Sequence, residues 1–159
     1  MVLQQLSRLS SNIEGRYATA KELQFINDFQ ASLELRMSTY RRIRETETDI
    51  LNATYDRSHL RAPNLFPKDD QSLNSLCKRD AQIILMSAAL SMLTDDLEVI
   101  RDNLLLWQKT IIKAFDHQKY VRIFYQAMEE VIKEKFSSEE IELLRPALTL
   151  IFNLSLIHI

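Results

Sequence analysis

Cys77-Lys78-Arg79-Asp80 is the stretch best equipped for chemistry. It places a thiol, an ammonium, a guanidinium and a carboxylate within one helical turn. On a helix, positions 77, 80, 81 and 84 share a face, so Cys77 and Asp80 stack as neighbours and Ile84 flanks them. A thiolate is a nucleophile, a guanidinium binds carboxylates through paired N–H groups, and a carboxylate accepts hydrogen bonds from N–H donors. Together they could hold an anionic, nitrogen-containing ligand. Taken alone, the residues first suggest something simpler: a structural cysteine acting as a small hydrophobe, beside solvated charges.

Other candidates are weaker. His117, after Asp116 at a predicted helix start, could ligate a haem in a globin-like fold, but reads more simply as an exposed histidine near a helix N-terminus. His59 reads as a surface residue beside a loop, and Trp107 with Leu104, Leu105 and Leu106 as core, with Trp107 as a ligand neighbour the alternative. Arg41, Arg42 and Arg44, followed by Glu45 and Glu47, read as a solvated helix face. No Ser-His-Asp order, metal-ligand spacing or phosphate loop stands out, so no metal and no catalytic centre are expected.

The elements that must position these groups are helices. The chain has 159 residues, enough for one domain, with a single Gly and three Pro. Sheets joined by tight turns, and Gly-rich phosphate loops, need glycine at positive φ. The composition therefore predicts an all-α fold and excludes a mononucleotide-binding one. A net charge of −2 argues against a nucleic-acid partner or an anionic membrane. One cysteine excludes an internal disulfide. No apolar run reaches the length of a signal peptide or a membrane span.

Apolar spacing of three and four predicts the helices. Leu3, Leu6, Leu9 and Ile13 mark a short first helix, broken near Gly15. Thr19 with Glu22 fits a capping box opening a second helix, with Leu23, Ile26, Phe29, Leu33, Met37 and Tyr40 on one face, running to about Thr46. Asp49 to Leu60 reads as a separate short helix, and the two prolines of Ala62–Pro67 as a loop. Asp69 or Asp70 would cap a helix to about Met92, and Thr94-Asp95-Asp96 breaks the chain. A helix from roughly Leu97 to Phe115 and one from Asp116 carrying Tyr120, Phe124, Met128 and Ile132 follow. Ser137 with Glu140 forms a second capping box, and Pro146 should kink the last helix. Unequal helices with short breaks predict globin-like crossed packing rather than a matched bundle. The first helix, about residues 1–16, needs a surface for its apolar stripe, either its own domain or another subunit. Leu154-Ser155-Leu156-Ile157-His158-Ile159 matches the translation of a common sequencing adapter. We therefore expect one domain over 1–153, an assembly scar over 154–159, and a native chain continuing beyond Asn153.

Three stretches carry a family likeness. They are Glu14-Gly15-Arg16-Tyr17 with Glu22-Leu23, then Cys77-Lys78-Arg79-Asp80, then Ala127-Met128 with Ser137-Ser138-Glu139-Glu140. In this order and spacing the chain resembles the phycobilisome proteins, the phycocyanin and allophycocyanin family of light-harvesting pigment proteins. The resemblance implies a globin-like domain with an N-terminal helical hairpin extension. It implies no enzyme but a light-harvesting, energy-transfer subunit whose Cys77 forms a thioether to a linear tetrapyrrole, a bilin of the phycocyanobilin type. Arg79 would pair with a propionate and Asp80 would accept from inner pyrrole N–H groups, with Lys78 and Ile84 in the same site. It implies a related subunit as heterodimer partner, a possible trimeric ring, linker proteins, and a peripheral place on the cytoplasmic or stromal-type side of the thylakoid membrane. The chain departs from the family where Ile83 and Ile84 replace aromatics after the motif, and around Ala114-Phe115-Asp116, where a Ser-Leu-Gly corner is usual. The alternative is a pigment-free relative acting in antenna assembly, regulation or turnover.

Overall fold

The computed structural model describes residues 2–68, 71–101 and 118–156. Among them are six helices and no strand: α1 (Val2–Asn12), α2 (Gln24–Arg61), α3 (Gln71–Thr94), a short α4 (Glu98–Ile100), α5 (Gln118–Lys135) and α6 (Ser138–Leu156). The predicted caps at Asp69, Asp70 and Asp116, the helix beyond Arg101, and Trp107 and His117 lie outside the described residues.

Local signals set several of these boundaries. Glu22 accepts from the Thr19 amide at 2.8 Å while the Thr19 hydroxyl accepts from the Glu22 amide at 3.3 Å. The box closes one turn ahead of α2 rather than on its first residue. At α6, Glu140 accepts from the Ser137 amide at 2.8 Å, and Ser137 Oγ returns the favour at 3.3 Å. α3 ends at Asp95, whose φ of 52° stops the helix. Pro146 lies inside α6.

The predicted break near Thr46 is absent, because α2 runs unbroken for 38 residues, about 57 Å at the helical rise. Its polar residues are compatible with helix because their hydroxyls donate to carbonyls one turn back. Thr39 reaches Leu35 at 2.7 Å, Thr46 reaches Arg42 at 2.7 Å, Thr54 reaches Ile50 at 2.7 Å and Ser58 reaches Thr54 at 2.8 Å. Only the second part of α2 is buried, through Thr39, Ile43, Ile50, Leu51, Thr54, Tyr55 and Ser58. The stripe predicted on its first part leaves Leu33 and Met37 exposed, and α1 has no buried residue. α1 and the start of α2 thus form a hairpin extension that buries little within this chain.

The core lies where α2 packs on α3 and α5, and α6 on α3 and α5. α3 contributes Ala81, Ala88 and Ala89, small enough for close helix approach, together with Leu85 and Met92. α5 brings Phe124, Met128, Val131 and Ile132, and α6 brings Leu144, Ala147 and Ile151. The 62–68 loop also enters the core. Phe66 is 0% exposed, held by Tyr55 Oη donating to the Pro67 carbonyl at 2.8 Å and by His59 Nδ1 bonded to the Phe66 carbonyl at 2.6 Å. His59 is therefore a loop anchor rather than a plain surface residue.

Candidate functional site around Cys77

Cys77 lies two turns into α3 and is half-buried against the core. The side chains beyond it come from α2, the 62–68 loop and α5. Phe66 stacks on Tyr120 with ring centroids 4.3 Å apart, and Tyr120 stacks on Phe124 at 6.0 Å. Tyr55 meets Phe66 edge-on at 5.9 Å. The hydroxyl oxygen of Tyr120 is buried. Burial, first, and then the neighbouring Cys77 push its ionisation far above that of an ordinary tyrosine, with Tyr55 and Asp80 also acting on it. The hydroxyl therefore stays protonated and able to donate.

The charged neighbours of Cys77 face outward. Arg79 Nη2 lies 3.2 Å from Asp80 Oδ1, with the Arg79 side chain 62% exposed and that of Asp80 37%. Lys78 Nζ donates to Asn52 Oδ1 at 2.8 Å and lies 5.7 Å from the centre of the Tyr55 ring. The fold thus brings Cys77, Lys78, Arg79 and Asp80 to one patch. It does not bring Ile84 there. Ile84 is buried with Ile100, Val121, Tyr125, Ala147 and Ile151, and lines a separate groove of about 350 Å³ between α3, α5 and α6. Ile83, one residue earlier, is exposed.

Sequence reasoning passed over Phe66, which sits in a loop, and Tyr55. It read Tyr120 as one member of a helical stripe. The signal for Tyr120 and Phe124 was their spacing of four on an amphipathic helix, but nothing local tied that face to Cys77.

Residues 9–154 match the family model described as phycobilisome protein. This chain belongs to the phycobilisome protein family. No curated protein matches it. The fold is accordingly the all-α, globin-like one of phycobilisome proteins. These proteins serve light-harvesting antenna complexes at the thylakoid surface, assemble with other subunits of that complex, are not enzymes, and generally carry bilin chromophores. No described helix of this phycobilisome protein is long and apolar enough to cross a membrane.

The donor set around Cys77 fits such a chromophore. Cys77 is only half-buried, and its thiol is the nucleophile that an electrophilic bilin requires. Arg79 is free to swing from Asp80 to a carboxylate, because a pair this exposed is held by little energy. Asp80 accepts hydrogen bonds and would suit N–H donors. Aromatic rings, which α3 lacks after the motif, are supplied close by from α2, the loop and α5.

Proposed function

We propose that the protein is a bilin-carrying antenna subunit. Cys77 is the thioether attachment point, Arg79 pairs with a propionate and Asp80 accepts from the inner pyrrole N–H groups. Lys78 holds the α2 side of the patch through Asn52. When bound, a linear tetrapyrrole, of phycocyanobilin type, supplies visible absorption and passes the excitation on. The observation that carries this reading is the half-buried Cys77, adjacent to an exposed guanidinium and carboxylate, within a chain of this family. A carboxylate facing pyrrole N–H groups favours their protonated form through charge-assisted hydrogen bonds.

The unburied α1, with Leu3 and Leu6 exposed, and the exposed Leu33 and Met37 on α2 support docking onto a related subunit. Heterodimers of this kind would build a trimeric ring with linker proteins on the cytoplasmic or stromal-type side of the thylakoid.

Co-expression with bilin-synthesis enzymes and a lyase, followed by zinc-induced fluorescence on a denaturing gel, tests the attachment. A fluorescent band lost in Cys77→Ser is expected. No band in the unaltered protein overturns the reading. A second reading, a pigment-free protein in antenna assembly, regulation or turnover, then stands. It is favoured by one feature: Arg79 pairs with Asp80 and Lys78 with Asn52 inside the chain itself.

A further inference from the structure

The groove between α3, α5 and α6 is graded in polarity along its length. α5 and α6 are joined by only two residues, Phe136 and Ser137, so they run antiparallel as a hairpin. Positions close to that turn on either helix therefore lie at the same end of the groove. That end carries the charges: Glu129 and Lys133 from α5 and Arg145 from α6. The far end carries Tyr125, Ile151 and Phe152. Buried Ile84, Met128 and Ile132 form the floor. The volume of about 350 Å³ falls within the range of small-molecule sites. An apolar floor with charge at one end matches an amphiphile, an apolar chain with one polar head.

The charge balance selects the head. Among the described residues, two cations and one carboxylate line the groove, a surplus of one positive charge. A single negative charge neutralises it, a cationic head would add to it, and a dianionic phosphate would overshoot. The cations are available. Lys133 pairs with Glu129 at 2.6 Å and Arg145 pairs with Glu142, but all four side chains are about half exposed or more. Pairs this exposed, each within a single helix, are held by little energy. Both cations can turn to an incoming carboxylate, and Arg145 offers it paired N–H groups.

We propose that this groove binds a free carboxylate of the fatty-acid type, its chain laid over the floor towards Phe152 and its head held by Lys133 and Arg145. Cys77 does not line the groove, so the inference goes beyond the proposed function and stands apart from pigment attachment.

Isothermal titration calorimetry of the full chain at neutral pH with decanoate, decanol and butanoate tests it. Decanoate should bind. Decanol keeps the chain and lacks the charge, and should bind about tenfold more weakly. Butanoate keeps the head and loses most of the chain, and should show no binding. Lys133→Gln with Arg145→Gln should bring decanoate down to the decanol level and leave decanol unchanged. Lys119→Gln with Arg122→Gln is the control, since it removes two charges from exposed positions of α5 that do not line the groove. Its affinity for decanoate should stay within about twofold, because distant surface charges are screened. Thr149 lines the groove from an exposed position, so Thr149→Trp should block both ligands without touching the core. Circular dichroism checks that the variants retain helix. No decanoate binding to the unaltered chain overturns the proposal, as does equal affinity for decanoate and decanol. Equal losses in the two charge variants overturn it as well, since overall charge would then suffice. Undiminished binding in Thr149→Trp does the same, because it places the ligand elsewhere.

Discussion

Glu140 ties the start of α6 to the middle of α2: its Oε2 accepts from Arg42 Nη1 at 2.8 Å and from the Ser137 amide at 2.8 Å. Arg42 also donates to the Lys135 carbonyl at 2.5 Å and lies 4.9 Å from the centre of the Phe136 ring. The Glu140 side chain is 9% exposed and that of Arg42 48%, so the carboxylate is the partner that removal of the pair would leave buried or empty. Glu140→Ala removes both interactions and is expected to cost about 2 kcal/mol by urea denaturation. Glu140→Gln keeps the capping acceptor and loses the charge. Its cost should stay below about 1 kcal/mol. Equal costs would show that the ion pair, not the cap, dominates.

The first capping box is a pH sensor of its own turn. Hydrogen bonding to Arg16, then to the Thr19 amide and hydroxyl, holds the Glu22 carboxyl down at about 2, against an ordinary 4.5. A depressed carboxylate contributes stability that is complete above about 4.5 and is lost as pH falls towards 2. The Thr19 amide resonance, followed by NMR, should therefore titrate with a midpoint near 2 and move little near 4.5. A midpoint at the ordinary value would mean that the Arg16–Glu22 pair, at 2.6 Å, does not persist in solution.

What the sequence made legible was local. Both capping boxes, the break at Asp95 and the apolar faces of α3 and α5 follow from residues within one or two turns of each other. The unbroken α2 was not legible, because Thr46 looks like a helix end until its hydroxyl is seen donating to Arg42. Arg42 was read with a solvated face, and its true partner lies on α6. At the site, Cys77, Arg79 and Asp80 were legible as a motif on one helix. Phe66 and Tyr120 were not, since their approach to Cys77 depends on how the loop and α5 pack on α3. Ile84 shares a helix face with Cys77 but is drawn into the second core cluster by Tyr125 and Ile151.

Phe66 is the test of that packing. A loop residue with 0% exposure, stacked on Tyr120 and near Phe124 at 6.1 Å, carries the load of a core residue. Phe66→Ala should cost about 3–5 kcal/mol in urea denaturation, as for a buried aromatic. A cost below about 1 kcal/mol would mean that the loop is not seated on α5.

The hairpin extension should behave in the opposite way. α1 buries no residue. Deleting residues 1–16 should leave the urea midpoint of the remaining body almost unchanged, because the core that α2, α3, α5 and α6 form is untouched. Size-exclusion of the intact and shortened chains, with a related subunit present, should show association only for the intact chain. A marked fall in the midpoint would place α1 within the domain's own core.

The corner after α3 separates backbone strain from charge. Asp95 has φ 52° and pairs with Arg36 Nη2 at 3.1 Å, while Arg36 also donates to the Met92 carbonyl. Left-handed backbone costs a residue with a Cβ about 1 kcal/mol or more, and aspartate tolerates it better than alanine. Asp95→Ala loses the ion pair and keeps the Cβ in that region. Asp95→Gly loses the same ion pair but frees the backbone. The glycine variant should therefore be more stable than the alanine variant by about 1 kcal/mol in thermal or urea unfolding, although both lose the carboxylate. If the two are equally destabilised, loss of the Arg36 partner is the whole effect and the left-handed turn is unstrained.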